Sequence, residues 1–216
     1  WITHFRWYLF KSKEPETIDF IDNKLMAGDV FFDIGANVGV FTIYASKRHE
    51  NIMVYSFEPE ASNLAILKEN IIENSIINKV ITYGVGVGDS NGLSKLHLQD
   101  MTPGSALHSE NKRTIEFSAE GNRPIVWVEG IYTVSLDSFC IETNVVPNVI
   151  KIDTDGNEQK ILMGATALLK NPLLRAILIE MPYAQFENCS LLLLESGFIK
   201  EVYHFKNTRN EIWTRQ

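Results

Sequence analysis

The amino-acid sequence predicts an α/β fold, a doubly wound and mostly parallel sheet with helices on both faces. Three observations lead to this fold class. Short apolar runs rich in Val, Ile and Phe alternate with longer stretches of helical character. Several of these runs end at a glycine or an acidic residue, as parallel strands do at a ligand-binding edge. The 216 residues, 45% of them hydrophobic, are enough for one domain with its own core.

The strands are predicted from compact runs that lie between turn residues. They cover residues 29–34, 52–57, 80–87, 149–152 and 176–181. Residues 93–98 alternate apolar and polar side chains like a solvated strand, and residues 125–136 form another strand-like run. Residues 198–205 and 211–214 are predicted to close the fold as a hairpin.

The helices are predicted in the stretches between these strands, at residues 38–47, 61–74, 157–169 and 184–195. In the third of them one apolar stripe is expected to face the core. Its members are Ile161, Leu162, Ala165, Leu168 and Leu169. Gly197 is expected to end the last helix.

The composition disfavours several classes of protein. Charged residues make up 22% of the chain, as in folded rather than disordered proteins. Asp and Glu number 27 against 20 Lys and Arg, and the resulting charge of −7 disfavours nucleic acid or an anionic membrane as the main partner. No apolar run approaches the roughly 18 residues of a membrane span, so no membrane-spanning helix is expected.

The cysteines and the first residues bear on location. Cys140 and Cys189 form no paired spacing, which disfavours a disulfide framework or a zinc site and fits a reducing compartment. No signal peptide is visible, and a cytoplasmic protein is expected. The chain starts at Trp1 rather than at Met, so we expect that a preceding segment, with any targeting information, is missing.

The chain is predicted to form a single domain over residues 1–216, without a repeat or a low-complexity linker. Residues 1–20 are expected to form an N-terminal appendage. Residues 99–124 are polar and contain Gly and Pro, which predicts an irregular insert that covers the acceptor site. The region around this insert is expected to contain an antiparallel hairpin.

A glycine turn follows the first predicted strand. Gly35 permits a tight turn, and Gly39 permits close packing of the next helix on the strand. The amides of residues 36–38, beginning with Ala36, are expected to face a polar or anionic ligand. Asn37 stands where a dinucleotide-binding turn carries its second glycine, so a ligand without a pyrophosphate is favoured.

Acidic residues lie at or near the ends of the first three predicted strands. Glu58 ends the second strand, where an acidic side chain accepts hydrogen bonds from a ribose diol. Asp89 follows the third predicted strand and is expected either to receive an adenine amino group or to belong to a plain turn. Asp33 precedes the glycine turn and is expected to hold the ligand's ammonium group, to stabilise the turn, or both.

A second acidic group lies at the end of the strand 149–152. Asp153, Asp155 and Glu158 fall within six residues, and Glu180 ends the neighbouring strand. Carboxylates packed this closely require a cation, a shared proton or open solvent. Helix capping explains Asp155 or Glu158, whereas Asp153 ends an apolar strand and is expected to point into the site. A divalent cation bound by these acids remains an alternative, with no metal ligand assigned.

These motifs, in this order and spacing, resemble the FkbM family of methyltransferases from about Asp29 to Met181. The motifs are Asp33-Ile-Gly35-Ala-Asn37-Val-Gly39, Phe57-Glu58-Pro59, Gly88-Asp89, Gly104-Ser105, Val134-Ser-Leu-Asp137, Lys151-Ile-Asp153-Thr-Asp155-Gly156-Asn-Glu158 and Ile179-Glu180. The resemblance implies the class I S-adenosylmethionine-dependent methyltransferase fold, a Rossmann-like sheet of seven strands with an antiparallel last strand. It also implies O-methylation of a sugar, glycan or secondary metabolite.

The resemblance further implies roles for individual residues. The glycine-turn residues Asp33, Gly35, Asn37 and Gly39 would cradle the methionine part of S-adenosylmethionine. Glu58, followed by Pro59, would accept the ribose hydroxyls, and Asp89 would contact the adenine. Asp153 would lie beside the sulfonium and the acceptor. Asp155 departs from the family, which usually carries Glu there, so its role is the least transferable.

A hydroxyl acceptor requires a base, for which the sequence offers Asp153, with Asp155 beside it, or His108 in the insert. Alternatively, a divalent cation held by the acids would lower the pKa of the hydroxyl. Two other functions are weighed. The first is a nicotinamide-dependent oxidoreductase, and the second is a non-catalytic module that binds S-adenosylmethionine. The missing second glycine opposes the first, and the presence of the site residues opposes the second.

Overall fold

The computed structural model describes residues 12–106, 124–202 and 208–215. The strands are β1 (Val30–Ile34), β2 (Met53–Phe57), β3 (Val80–Tyr83), β4 (Gly86–Gly88), β5 (Gly92–Leu98), β6 (Trp127–Ser135), β7 (Val149–Ile152), β8 (Ala176–Glu180), β9 (Ile199–Lys200) and β10 (Asn210–Thr214). The helices are α1 (Pro15–Lys24), α2 (Val40–Arg48), α3 (Ala61–Glu73), α4 (Leu136–Thr143), α5 (Glu158–Met163) and α6 (Phe186–Glu195). A short 3₁₀ helix covers Leu168–Lys170.

The main sheet contains seven strands in the order β3-β2-β1-β7-β8-β10-β9. In this sheet all neighbouring pairs among the strands β3, β2, β1, β7 and β8 are parallel, whereas β10 is antiparallel to both of its neighbours, β8 and β9. The predicted fold, a mostly parallel seven-stranded sheet with an antiparallel last strand, is therefore confirmed. The chain continues from β1 towards one edge and from β7 towards the other, so a crevice forms at the carboxyl ends of these two strands.

The helices cover both faces of the sheet, because the strands bury alternate side chains on opposite sides. On one face Phe31 of β1 packs in a cluster with residues of α1, α2 and α3. On the other face Phe32 packs with residues of α4, α5 and α6. None of the helices in the described ranges has the length and apolarity needed to cross a membrane.

Residues 80–87 do not form the single strand that was predicted. β3 ends at Tyr83. After two linking residues the chain enters β4, which belongs to a second sheet of order β4-β6-β5. There β4 pairs in parallel with β6. A Cβ atom on Gly164 would overlap the carbonyl oxygen of Gly88, so the glycine lets the loop after α5 press against β4. These long-range contacts separate β4 from the main sheet.

The antiparallel hairpin expected near the insert is confirmed. β5 and β6 pair from Gly92 opposite Thr133 to Leu98 opposite Trp127. The insert itself falls largely on residues 107–123, which lie outside the described ranges.

The helix predicted over residues 157–169 ends at Met163. The chain turns there because Asp137, in the first turn of the unpredicted helix α4, binds the segment that follows. Its carboxylate accepts hydrogen bonds from Ala167 N at 2.9 Å and from Leu168 N at 2.8 Å. The predicted apolar stripe is nevertheless fully buried, partly on α5 and partly on the 3₁₀ helix.

Helix α1 lies partly in the segment expected to be an appendage, and the sequence analysis did not predict it. Its residues Phe20 and Ile21 are fully buried in the core. Its Glu16 is 3% exposed and accepts hydrogen bonds from Thr208 Oγ1 at 2.6 Å and Asn210 Nδ2 at 2.7 Å. The helix is therefore tied to β10 through a buried polar contact.

Candidate functional site

A pocket opens at the carboxyl ends of β1 and β7, where the strand order reverses. Its empty space, including the part open to solvent, is about 640 Å³. The predicted site residues that line it are Gly35, Asn37, Glu58, Pro59, Asp153 and Asp155. A largely apolar wall is formed by Val85, Val87, Leu96, Ala106 and Ile131. The pocket therefore combines acidic groups with a surface suited to a flat apolar ring.

The glycine turn is held by the end of β2. Gly35 N and Ala36 N both donate to the carbonyl oxygen of Phe57 at 3.0 Å. Asn37, in a left-handed conformation with φ of 50°, donates its amide to Glu58 Oε2 at 2.8 Å. Val38 N donates to the side chain of Asn37. The amides of residues 36–38 are thus directed at acceptors within the protein rather than at a ligand. Phe57 and Glu58, at the end of β2 and just after it, accept from Ala36 and Asn37, and the side chain of Asn37 accepts from Val38.

Two glycines of the turn permit contacts that a side chain would prevent. Gly35 has a φ of +75°, and a Cβ atom there would overlap the carbonyl oxygen of Asp153. Gly39 has a φ of +87°, and a Cβ atom there would overlap the side chain of Leu67 in α3. Gly35 therefore joins the ends of β1 and β7, while Gly39 allows α2 to begin against α3. Ala36 and Gly39 are not among the pocket-lining residues.

Glu58 lies at the end of β2 and is only 6% exposed. Besides the contact with Asn37, its Oε1 accepts a hydrogen bond from Glu60 N at 3.0 Å. Burial nevertheless raises the pKa of Glu58 to about 7. A carboxylate has about four lone-pair positions, so capacity remains for a hydroxyl group in the pocket.

Asp33 is fully buried and does not line the pocket. Its Oδ1 lies 3.2 Å from Lys151 Nζ, and its Oδ2 accepts a hydrogen bond from Thr42 Oγ1 at 2.7 Å. Burial lowers the pKa of Lys151, but the nearby carboxylates, Asp33 first among them, outweigh burial and raise it above its usual value. The structure thus places Asp33 beneath the site, in an ion pair.

Asp153 reaches the pocket with a side chain that is 32% exposed. Its Oδ2 lies 3.7 Å from Lys151 Nζ, which also contacts Asp33. Glu180, at the end of the adjacent strand β8, is hydrogen-bonded to Asp153, and Arg209 Nη2 lies 2.5 Å from Glu180 Oε1. Burial and the neighbouring Asp153 raise the pKa of Glu180 to about 9. Glu180 is therefore more easily protonated than an ordinary glutamate, whereas its ion pair with Arg209 favours the charged form.

Glu14, which precedes α1, contributes a further acid to this cluster. Burial and the charge of Asp153 raise the pKa of Glu14, while Lys151 lowers it. The segment before α1 therefore carries an acidic side chain to the carboxyl end of β7, which the sequence analysis did not anticipate.

The turn after β7 is closed by Glu158. This side chain is fully buried, and its Oε1 accepts hydrogen bonds from Thr154 N and Gly156 N, both at 3.1 Å. Both donors precede the helix, and Asn157 at its start makes no side-chain capping hydrogen bond, so Glu158 stabilises the turn rather than capping the helix. Asp155 has a φ of 54° and lines the pocket, and Asn157 Nδ2 donates to the carbonyl oxygen of Val87 at 2.6 Å.

The structure gives no support for placing Asp89 or His108 in the pocket. Asp89 is exposed, accepts a hydrogen bond from Ser90 Oγ at 3.0 Å and does not line the pocket. It follows β4 rather than the third strand of the main sheet, which ends at Tyr83. Its contact with adenine therefore stays a prediction without support from the geometry. His108 lies outside the described residues.

Three side chains at the site were not singled out from the sequence. They are Lys151, which precedes Asp153 on β7, Asn157 in the turn, and Asn63 in α3. A lysine inside a short apolar strand signals a buried ion pair, so Lys151 could have been found. Asn63 and Asn157 carry no such signal, because asparagine is common at exposed positions.

S-adenosylmethionine fits the residues that are present. Glu58 offers acceptor positions for the ribose hydroxyls, and the apolar wall suits the adenine ring. The acidic end of the pocket at Asp153 suits a cationic sulfonium. Among the residues described here, no three His, Cys, Asp or Glu side chains are grouped so as to hold a metal ion.

Comparison with known proteins gives matches along most of the chain. The model of the methyltransferase FkbM domain matches residues 33–209. The 31-O-demethyl-FK506 methyltransferase FkbM of Streptomyces tacrolimicus is 26% identical over 65% of this chain and 61% of its own length. The hexuronic acid methyltransferase AglP of Haloferax volcanii is 28% identical over 73% of this chain and 59% of its own length. The matches thus span about three fifths of these relatives.

Solved structures with the same architecture are more distant in sequence. The precorrin-6y C5,15-methyltransferase of Geobacter metallireducens superposes with a TM-score of 0.56 at 12% identity, over 95% of this chain and 89% of that chain. Magnesium protoporphyrin IX methyltransferase of Synechocystis, determined with bound S-adenosylmethionine, gives 0.51 at 10% identity, over 94% and 77%. An rRNA methylase of Streptococcus thermophilus gives 0.52 at 11% identity, over 93% and 95%. The fold is therefore the Rossmann-like fold of class I methyltransferases.

Proposed function

This chain belongs to the FkbM methyltransferase family, and from that premise we propose that it transfers a methyl group from S-adenosylmethionine to a hydroxyl group. The acceptor is a sugar, a glycan or a secondary metabolite. The observation that carries this proposal is the pocket at the ends of β1 and β7, lined by both Glu58 and Asp153. It offers one acid for a ribose diol and a second for the acceptor hydroxyl.

The cofactor, when bound, supplies a methyl group that is activated by the positive charge on sulfur. The protein holds the adenosine part through Glu58 and the apolar wall of the pocket. Gly35, without a side chain, lets the turn lie directly against the carbonyl oxygen of Asp153, and this brings the turn and Asp153 together at the end of the pocket proposed for the methionine part. Asp33 supports this end of the site indirectly through its ion pair with Lys151.

Asp153 accepts the proton of the acceptor hydroxyl while the oxygen forms its bond to the methyl carbon. Lys151 lies 3.7 Å away and stabilises the carboxylate form of Asp153. Glu180, held by its ion pair with Arg209, contacts the side chain of Asp153 and so orients it. The described residues offer Asp153 and Asp155 for the role of base, with His108 remaining a prediction.

A sugar or another polyhydroxylated molecule is the proposed acceptor class. The carboxyl groups of Asp153 and Asp155, which line the pocket, are able to accept hydrogen bonds from several hydroxyl groups at once. The relatives named for a hexuronic acid and for an O-demethyl compound support this class. We expect no nucleic-acid partner because the net charge is −7, although one structural neighbour is an rRNA methylase.

Calorimetry with S-adenosylmethionine and S-adenosylhomocysteine tests cofactor binding. Binding at micromolar concentrations is expected, whereas the absence of heat with both compounds would reject the proposal. A parallel fluorescence titration with NADH tests the nicotinamide-dependent alternative and should show no binding.

Methyl transfer is measured with S-adenosylmethionine that carries a labelled methyl group. The acceptor probes are p-nitrophenyl glucuronide and p-nitrophenyl glucoside, which differ only in the sugar carboxylate. Asp153→Asn should abolish transfer and leave S-adenosylhomocysteine binding nearly unchanged. Retained turnover in this variant would remove Asp153 from the catalytic role.

A further inference from the structure

Residues 100–106, which come shortly after β5, form a compact turn with its own hydrogen bonds. Within this 100–106 turn, Thr102 N donates to Asp100 Oδ1 at 2.8 Å, and Ser105 N donates to the carbonyl oxygen of Thr102 at 2.9 Å. Gly104 has a φ of 90°, a left-handed conformation that glycine adopts without steric cost. Gly104 and Ser105 are buried, so this side of the turn packs against the rest of the protein.

Asn63 holds the turn from the first helical turn of α3, where it is only 1% exposed. Its Oδ1 accepts a hydrogen bond from Gly104 N at 2.7 Å, and its Nδ2 donates to the carbonyl oxygen of Ser105 at 3.4 Å. Because a backbone N–H only donates, the contact with Gly104 establishes which end of the amide is oxygen. Both ends of this buried amide are therefore matched to the backbone of the turn.

Asn37 holds the same turn from the opposite side. Its Nδ2 donates to the carbonyl oxygen of Ser105 at 2.7 Å, so that this oxygen receives donors from two asparagines. The backbone amide of Asn37 donates to Glu58 Oε2 at 2.8 Å. The 100–106 turn is thus fastened beside Glu58. A glycine in place of Asn37, as in a dinucleotide-binding turn, would lack the side-chain donor to Ser105.

Ala106 follows Ser105 directly and lines the pocket. Asn37 and Asn63 line the same pocket, so the turn is docked at the pocket and not on a remote surface. The polar backbone groups that precede Ala106 have partners within the protein, namely Gly104 N and both the N–H and the carbonyl of Ser105. The turn therefore offers a ligand an apolar methyl group beside backbone groups that are already satisfied.

We propose that the 100–106 turn is a further element of the cofactor site: its docking on Asn37 and Asn63 holds the methyl group of Ala106 against the nucleoside part of S-adenosylmethionine. Asn37 and Asn63 are then positioning residues that act through the turn, and Ala106 is the residue that contacts the cofactor. The inference rests on the proposed function, in which Glu58 accepts hydrogen bonds from the ribose hydroxyls.

The wild-type chain provides the first test, by NMR with isotopically labelled alanine methyl groups. The Ala106 signal is assigned by its loss in Ala106→Gly. On addition of S-adenosylhomocysteine this signal should shift and show a nuclear Overhauser effect to ribose or adenine protons. The methyl group of Ala36 is the control, because Ala36 belongs to the glycine turn but does not line the pocket, and it should show no such effect. Binding without an effect at Ala106 would overturn the proposal.

Ala106→Leu provides the second test, by calorimetry with S-adenosylhomocysteine. The larger side chain enters the space that the nucleoside would occupy, so binding should weaken by about tenfold or more. Met101→Ala is the matched control, because Met101 belongs to the same turn, is 51% exposed and does not line the pocket. This control should bind like the wild-type chain. Equal affinity of Ala106→Leu and the wild-type chain would overturn the proposal.

Asn63→Leu tests the anchor, since leucine is close to asparagine in size and offers neither donor nor acceptor. Hydrogen exchange at Gly104 N should become faster, and S-adenosylhomocysteine should bind about tenfold more weakly, because only the docked fraction of the turn contributes. Asn74→Leu is the control on α3, because Asn74 Nδ2 donates to Asn70 O at 2.9 Å and not to the turn. It should leave both exchange at Gly104 and binding unchanged.

Faster exchange at Gly104 in Asn63→Leu together with wild-type affinity would overturn the positioning role. If Asn63→Leu does not fold, the Ala106 signals of the wild-type chain still decide. Binding of S-adenosylhomocysteine by a wild-type chain whose Ala106 signal stays unchanged would reject this inference alone. A wild-type chain that binds neither S-adenosylmethionine nor S-adenosylhomocysteine would reject the proposed function, and this inference with it.

Discussion

The ammonium group of Lys151 lies 3.2 Å from the carboxylate of Asp33, and both side chains are almost entirely removed from solvent. The two residues are direct neighbours on the paired strands β1 and β7. The Lys151 ammonium also lies 5.4 Å from the centre of the Phe41 ring. This pair fastens together the two strands between which the pocket opens.

Lys151→Met leaves the Asp33 carboxylate buried without its cation. We expect the free energy of unfolding to fall by about 3–5 kcal/mol, as measured by urea denaturation at pH 7. The double variant Asp33→Asn with Lys151→Met removes both charges and should recover much of this loss. If the single and double variants lose the same stability, the cost does not come from an unpaired charge.

Gly35→Ala tests the close contact between the glycine turn and β7. The added Cβ would overlap the carbonyl oxygen of Asp153, so the end of β7 must move and binding of S-adenosylhomocysteine should be lost. Gly28→Ala is the matched control, because Gly28 also has a positive φ, of +88°, but nothing lies within 4 Å of its added Cβ. This control should lose about 1–2 kcal/mol from backbone strain and retain binding. Equal binding by both variants, measured by calorimetry, would contradict the importance of the contact.

The buried carboxyl group of Glu58 predicts how stability depends on pH. Its pKa is about 7 in the folded chain against an ordinary value of 4.5, so the folded state binds more protons between these pH values. The contribution of Glu58 to the free energy of unfolding therefore decreases as the pH rises from about 4.5 to about 7 and is constant above that. The difference in pKa corresponds to about 3 kcal/mol.

Glu58→Gln removes this dependence. In the absence of cofactor, its stability should decrease less than that of the wild-type chain across the interval, as followed by urea denaturation at closely spaced pH values. Glu69→Gln, at an exposed position of α3, should follow the wild-type chain. Parallel curves for the wild-type chain and Glu58→Gln would show that Glu58 titrates normally.

Phe20→Ala tests whether α1 belongs to the core. Phe20 is fully buried, so its truncation should cost about 3–5 kcal/mol of stability through lost burial and a new cavity. Met26→Ala, just after the same helix, changes a residue that is 58% exposed and should alter stability little. Similar melting temperatures for the two variants in calorimetry would mean that α1 adds nothing to the core.

Much of the architecture follows from local sequence. β7 was predicted with its correct bounds, and β1, β2 and β8 were each predicted to within a residue at either end, because a strand buried on both faces must be a short apolar run. Glu58 and Asp153 were also placed correctly in the pocket. Both follow the last apolar residue of such a strand, and the carboxyl ends of parallel strands share one edge.

Other features depend on segments that are distant in the sequence. Residues 80–87 look like one strand, yet β4 pairs with β6, more than forty residues further along the chain, and this removes Asp89 from the strand end where it was expected. The helix predicted over 157–169 stops early because Asp137 accepts hydrogen bonds from the residues that would have continued it. Local periodicity carries no information about such partners.

The sequence by itself determined the central parallel strands, the helices that follow them, the site of the glycine turn and the acids at the strand ends, since each depends on residue type and local spacing. Only the tertiary structure decided what those groups contact. It directed Asp33 to Lys151, the amides of Gly35 and Ala36 to the end of β2, and Asn63 to Gly104. A buried polar group must find a partner, and which one it finds depends on how strands far apart in the sequence are brought into register.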